Sequence, residues 1–167
     1  MSTLPITYDA TFDPPPAMPG MIADLAFTDK IVVPCGTAAT PFGAVVAYVT
    51  ATGISVLPIG TNPIAGVAIM DHQVAGRRTA TGVQQTAYVQ YDAMSVMRRG
   101  RIWARASGAC TKDAVAKYDP ATGIFADAGT GTLANAKFMS ANINIPGVAT
   151  GDATEIVVLV ELHSPVI

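Results

Sequence analysis

Charge is what this sequence has least of. Only 13 % of its 167 residues are Asp, Glu, Lys or Arg, against 50 % hydrophobic. A freely soluble monomer rarely keeps so apolar a composition, which implies that much of its outside is covered by another molecule. Cysteine is nearly absent too. Cys35 and Cys110 lie far apart with no CxxC spacing, which excludes a zinc module and reads as two buried thiols, with a single disulfide left open. Histidine is equally sparse: His72 and His163 have no ligand-spaced Cys or carboxylate apart from Asp71 beside His72, so neither a metal nor a catalytic role is expected of them. No apolar run approaches about 18 residues, and no basic stretch leads into an apolar one at the start, so no membrane partner and no secretory leader is expected. The expected place of synthesis is the cytosol.

Catalytic equipment is missing as well. There is no G-x-S-x-G elbow, and Gly129-Thr130-Gly131-Thr132 lacks the lysine and following helix of a phosphate cradle. Asp119 and Asp127 flank turns instead of facing each other. The chain therefore reads as no enzyme, with no cofactor. All six arginines fall between Arg77 and Arg105, with Asp92 the only acid among them. Basic clustering of this kind can mark nucleic acid, but no Lys-rich tail, zinc spacing or RNP-like aromatic pattern accompanies it, so no nucleic-acid partner is expected.

What the chain does have is short apolar runs punctuated by turn residues. Residues 86–91, 94–98, 101–107 and 114–118 read as a β-meander, with Arg99-Gly100 at a tight point and Asp119-Pro120-Ala121-Thr122-Gly123 as a turn. Further runs at 21–27, 31–33, 44–50, 54–57, 64–70 and 134–140 read as strands or short extended pieces, and 71–85, 126–133 and 141–152 as loops. The last run, 155–162, is β-branched and apolar on both faces in its middle, which predicts an interior strand. With no sustained 3.6-residue stripe, the fold class expected is all-β: an antiparallel sandwich or jelly-roll-like barrel over residues 21–167.

Residues 1–20 contain five prolines, three of them consecutive at Pro14, Pro15 and Pro16. Proline offers no N–H to a ladder, so this segment is expected to be an extended arm. Leu4, Ile6, Tyr8 and Phe12 give it apolar side chains to lay against a neighbouring surface. The other candidate contact is Arg101-Ile102-Trp103-Ala104-Arg105: on a strand, Arg101, Trp103 and Arg105 share one face, and Ile102 and Ala104 the other. Two readings stay open. Either the indole packs under arginine stems within its own sheet, or the three form a contact patch, Trp and Arg being frequent interface hot spots.

Taken together, PGMIAD at 19–24, PFGAVV at 41–46, GVAI at 66–69, RRGRIWARASGA at 98–109 and the Thr-Gly…Phe turn at 122–125 resemble the structural cement, or head decoration, proteins of tailed bacteriophages. The likeness spans roughly residues 18–163. It departs at Tyr91-Asp92, where the family tends to have Gly-Asp, and at 141–152, which look long. The resemblance implies a non-enzymatic capsid decoration protein on the outer surface of the virion. It would lock neighbouring capsomers of HK97-fold major capsid protein together and associate with copies of itself as a dimer or trimer. The rival reading is a virion adhesin or carbohydrate-binding β-domain, which needs aromatics such as Tyr88 and Trp103 exposed on adjacent strands.

Overall fold

The structure, a computed structural model, describes residues 18–57, 59–71, 86–145 and 155–163, with only the backbone of 25–27. Within these residues the chain is all β. The strands are β1 (Ile22–Pro34), β2 (Ala39–Pro41), β3 (Val45–Val49), β4 (Ile54–Val56), β5 (Ile64–Ala68) and β6 (Ala87–Val89), then β7 (Ala93–Ala106), β8 (Val115–Tyr118), β9 (Gly131–Phe138), β10 (Ile143–Ile145) and β11 (Glu155–Leu162). Every strand pairing is antiparallel, and the sheets form the expected sandwich-like arrangement. The main sheet runs β4-β3-β5-β7-β11-β9-β8, with β1 added to β7 and β10 to β11, while β2 and β6 make a separate pair.

β7 is the hub. It pairs with β1 from Ala93 to Ile102, with β5 at Val96 and Met97, and with β11 from Gly100 to Ala106. The expected meander is therefore corrected: β6 pairs with β2, β8 with β9, and residues 94–98 and 101–107 belong to one continuous strand. Arg99-Gly100 is not a turn. Asp29 sits opposite Arg99 but Lys30 sits opposite Met97, so β7 carries one extra residue there. That is a bulge, which bends a strand and flips its pleat. Before it, Met94 and Val96 face one core and Met97 the other; after it, Ile102, Ala104 and Ala106 join Met97. Likewise β1 runs unbroken through residues read as two pieces, and β10 interrupts the expected loop 141–152. The loop expected at 126–133 ends early, because β9 begins at Gly131. Most of the loop expected at 71–85 lies outside the described residues.

Two cores account for the runs that do not alternate. Val45 and Ala47 of β3 enter a main core with Phe125, Phe138, Ile102 and Val158, while Val46 enters a second core with Phe42, Tyr88, Met94 and Cys35. A strand covered on both faces needs apolar residues at every position. The β2-β6 pair brings Tyr88 to the second core. Tyr88 meets Phe42 edge to face at 5.1 Å, and its hydroxyl donates to the Ile69 carbonyl at 2.6 Å. Burial pushes the Tyr88 phenol up to about 12, against a lowering from hydrogen bonding at Ser95. β11 is the interior strand expected: β7 lies along one edge, and β10 and β9 share the other. Both thiols are buried and free, which closes the disulfide alternative.

Candidate interface surface

The pleat of β7 after its bulge places Arg101, Trp103 and Arg105 on one face, as the alternation predicts, with Ile102, Ala104 and Ala106 buried on the other. What surrounds them comes from β11. Glu161 lies directly across from Arg101, and Arg101 Nε donates to Glu161 Oε1 at 3.0 Å. Arg105 lies across from Val157 and reaches diagonally, Nη2 donating to Glu155 Oε1 at 2.6 Å. Trp103 is opposite Leu159 and packs on Ile145 and Val157, beside Ile143. The indole is thus walled on one side by β10 and β11 and stays half-buried.

Chemically, this makes a patch with an aromatic centre and compensated charges at both ends. Each arginine has a carboxylate, so a partner meeting the patch meets little net charge, and the ring is the group left to bury. His163 Nε2 lies 3.6 Å from the second Glu161 oxygen and is exposed. The patch is fixed from behind: the Gly20 N–H donates to the Trp103 carbonyl at 2.7 Å, the Trp103 N–H to Met21 at 2.9 Å, and the Arg105 N–H to Gly43 at 3.1 Å.

The other expected contact residues, Leu4, Ile6, Tyr8 and Phe12, lie outside the described residues, as does His72. Tyr88 is fully buried and its strand pairs with β2, so the sugar platform of Tyr88 and Trp103 on adjacent strands does not exist. Asp119 caps its own turn, accepting from the Ala121 N–H at 3.0 Å and the Thr122 hydroxyl at 2.9 Å, and Asp127 accepts from the Thr111 hydroxyl at 2.6 Å. The two carboxylates serve turns, not a shared site. Among the described residues no group of three or more His, Cys, Asp or Glu could hold a metal ion.

Two exposed side chains stand out on the surface. Tyr91 is 76 % exposed at φ +71°, a left-handed conformation in which a bulky residue is strained. The departure from Gly-Asp at Tyr91-Asp92 falls on the backbone position where glycine would be relaxed. The second feature is Val32, 66 % exposed on β1; nothing in a run of Ile-Val-Val tells which residue faces out.

The profile of the family described as Structural cement protein (E217 gp24/Pam3 gp6) matches residues 6–161. The chain belongs to that family. A chain from the solved structure "The capsid of Myoviridae Phage XM1" shares the fold, with TM-score 0.62 at 15 % identity over 96 % of this chain and 98 % of that one. Among curated proteins none matches the chain. This cement protein is therefore a phage structural protein, associated with the capsid and located in the virion.

Proposed function

We propose that this cement protein binds the outer surface of an icosahedral head built of HK97-fold major capsid protein, as a dimer or trimer, and bridges neighbouring capsomers. The observation that carries this reading is the family match over residues 6–161. The Trp103 patch supports it in kind: a half-buried aromatic between compensated charges resembles the anchor-and-rim arrangement of protein interfaces. Homo-oligomers with two- or three-fold axes fit the local symmetry of a shell. Stabilisation then follows from mass action, since a ligand that binds only the assembled, expanded lattice raises that lattice's stability by its binding free energy.

The test is reconstitution. Purified protein added to expanded heads that lack it should bind at saturable stoichiometry and raise their resistance to heat and chaotrope. Heads that bind it yet survive no better would overturn the stabilising role, and density for the chain on the inner wall would overturn the placement.

A further inference from the structure

One row of charged residues crosses four strands of the main sheet on the face that carries Trp103. Asp24 of β1 is opposite Arg101 of β7, Arg101 is opposite Glu161 of β11, and Glu161 is opposite Lys137 of β9. Residues opposite one another share a face of a sheet, and this face is turned away from the main core, which Ile102, Val160 and Phe138 enter from the other side. In strand order the row reads carboxylate, guanidinium, carboxylate, ammonium. With strands about 4.8 Å apart, the four charges span about 14 Å and change sign at every step.

Two residues along the strands lies a second row, and it is apolar. Trp103 is opposite Leu159. The Trp103 N–H donates to the Met21 carbonyl at 2.9 Å, and the Met139 N–H donates to the Leu159 carbonyl at 2.7 Å. Met21, Trp103, Leu159 and Met139 therefore follow one another across the sheet, from just before β1 to just after β9. Met21 is 42 % exposed and the other three are half-buried, so the row keeps apolar area for a partner to cover.

The order of the charges sets which partner fits. A half-turn about an axis along the strands, midway between β7 and β11, lays this face on a copy of itself and exchanges β7 with β11 and β1 with β9. Asp24 then comes over the partner's Lys137 and Arg101 over the partner's Glu161, each contact occurring twice. Trp103 meets the partner's Leu159, and Met21 meets the partner's Met139. Every charge in the row faces its opposite. A two-fold axis across the strands at Trp103 would instead set Arg101 over the partner's Arg105, two like charges. A three-fold axis cannot lay a face upon itself at all.

We propose that this face joins two copies of the cement protein about the two-fold axis that runs along the strands between β7 and β11. A second copy is the occupant because the row is complementary to itself, whereas a surface of one sign would be repelled by half of it. The inference rests on the self-association in the capsid reading given above and narrows it. The unit that reaches a head is then a dimer, and its contacts with the shell lie on other surfaces.

Sedimentation of the free full-length protein from about 1 µM to about 1 mM tests it. A monomer–dimer equilibrium is expected, and the emission of Trp103, the only tryptophan, should move to shorter wavelength in step with dimer formation. A monomer throughout, a trimer, or a dimer that leaves the emission unchanged would overturn the proposal. A charge swap identifies the contact. Asp24→Lys and Lys137→Glu, both at exposed positions, should each weaken self-association severalfold, because like charges then meet twice. Mixed in equal amounts, the two variants should pair with each other as tightly as the parent pairs with itself. Single variants that dimerise like the parent, or a mixture that gains nothing, would also overturn it. All of these measurements use the free protein, so their failure is distinct from a failure to bind heads.

Discussion

Arg105 and Glu155 meet at 2.6 Å, yet the remaining Nε of the arginine and Oε2 of the carboxylate are buried with no hydrogen-bond partner among the described residues. Their side chains are 22 % and 17 % exposed, so neither charge is free to return to water when its partner is removed. Glu155→Ala is expected to cost about 2 kcal/mol, less than a fully buried pair would because some solvent reaches both groups. Replacing both residues by apolar ones, Arg105→Met with Glu155→Leu, should cost less than the single change. Urea denaturation of the parent and the two variants checks this; equal losses for single and double variants would show that the pair is not coupled.

Tyr88 makes stability depend on alkali. Its phenol stands at about 12 in the folded chain against 10.0 as the ordinary value. Above pH 10 the unfolded chain therefore loses a proton that the folded chain keeps. The unfolded state then binds fewer protons, and stability falls as pH rises from 10 to 12, by on the order of 2–3 kcal/mol. Burial also pushes the Cys110 thiol up to about 11 and raises Tyr118, which steepens the same decline. Tyr88→Phe should cost about 1 kcal/mol at neutral pH, since the Ile69 carbonyl loses its donor, and should flatten the alkaline slope. A slope unchanged by Tyr88→Phe would remove this residue as its source.

Gly66 permits the closest backbone approach in the β5-β7 pairing. Its φ is +144°, and a Cβ built there would collide with the carbonyl oxygen of Met97. Both strain and contact oppose any side chain, so Gly66→Ala is expected to cost about 3 kcal/mol or more, or to leave the protein insoluble. Thermal melts of soluble material decide it; a melting temperature near that of the parent would mean that β5 can move away from β7.

Gly66 and Gly100 also show why the fold was only partly legible. Residues 155–162 were readable as an interior strand because both faces are apolar, and the turn at 119–123 because Pro and Gly sit where a turn requires them. Arg99-Gly100 misled, since the same residue types mark a bulge as readily as a turn, and only the partner strand distinguishes them. The pairing of β6 with β2 has no local signal at all: it is set by Tyr88 finding the Ile69 carbonyl and the Phe42 ring. The patch was readable to the level of a shared face, by pleat alternation alone. Its carboxylate partners come from residues fifty or more positions later, and only the folded chain shows that Val32 and Arg98 line one groove.

Trp103 is packed on Ile145 and Val157 but keeps one side open. If the open side meets the shell or a sister subunit, Trp103→Ala should weaken binding to heads by about 2 kcal/mol or more, the usual hot-spot threshold, while the isolated domain stays folded. Binding isotherms on purified heads, alongside melts of the free variant, separate the two effects. A variant that folds poorly but, when folded, binds as well as the parent would assign the indole to packing within its own sheet.

The N-terminal segment is the last element to weigh. Its four prolines before Met18 leave it less chain entropy to lose on docking than a flexible tail would have, which favours an ordered contact over a solvated one. The described domain, in turn, has two cores of its own: Phe125 and Phe138 are buried in one and Phe42 and Tyr88 in the other, each among described residues. The cut must spare Met18, whose carbonyl closes the turn with Met21. Deletion of residues 1–17 should therefore leave circular dichroism and melting temperature near those of the full chain, yet reduce occupancy on expanded heads severalfold. Occupancy is measured by sedimenting heads with bound protein across a concentration series. Truncated protein that decorates heads as well as the full chain would show that these residues contribute nothing to capsid binding, and would leave the Trp103 patch as the remaining contact to test.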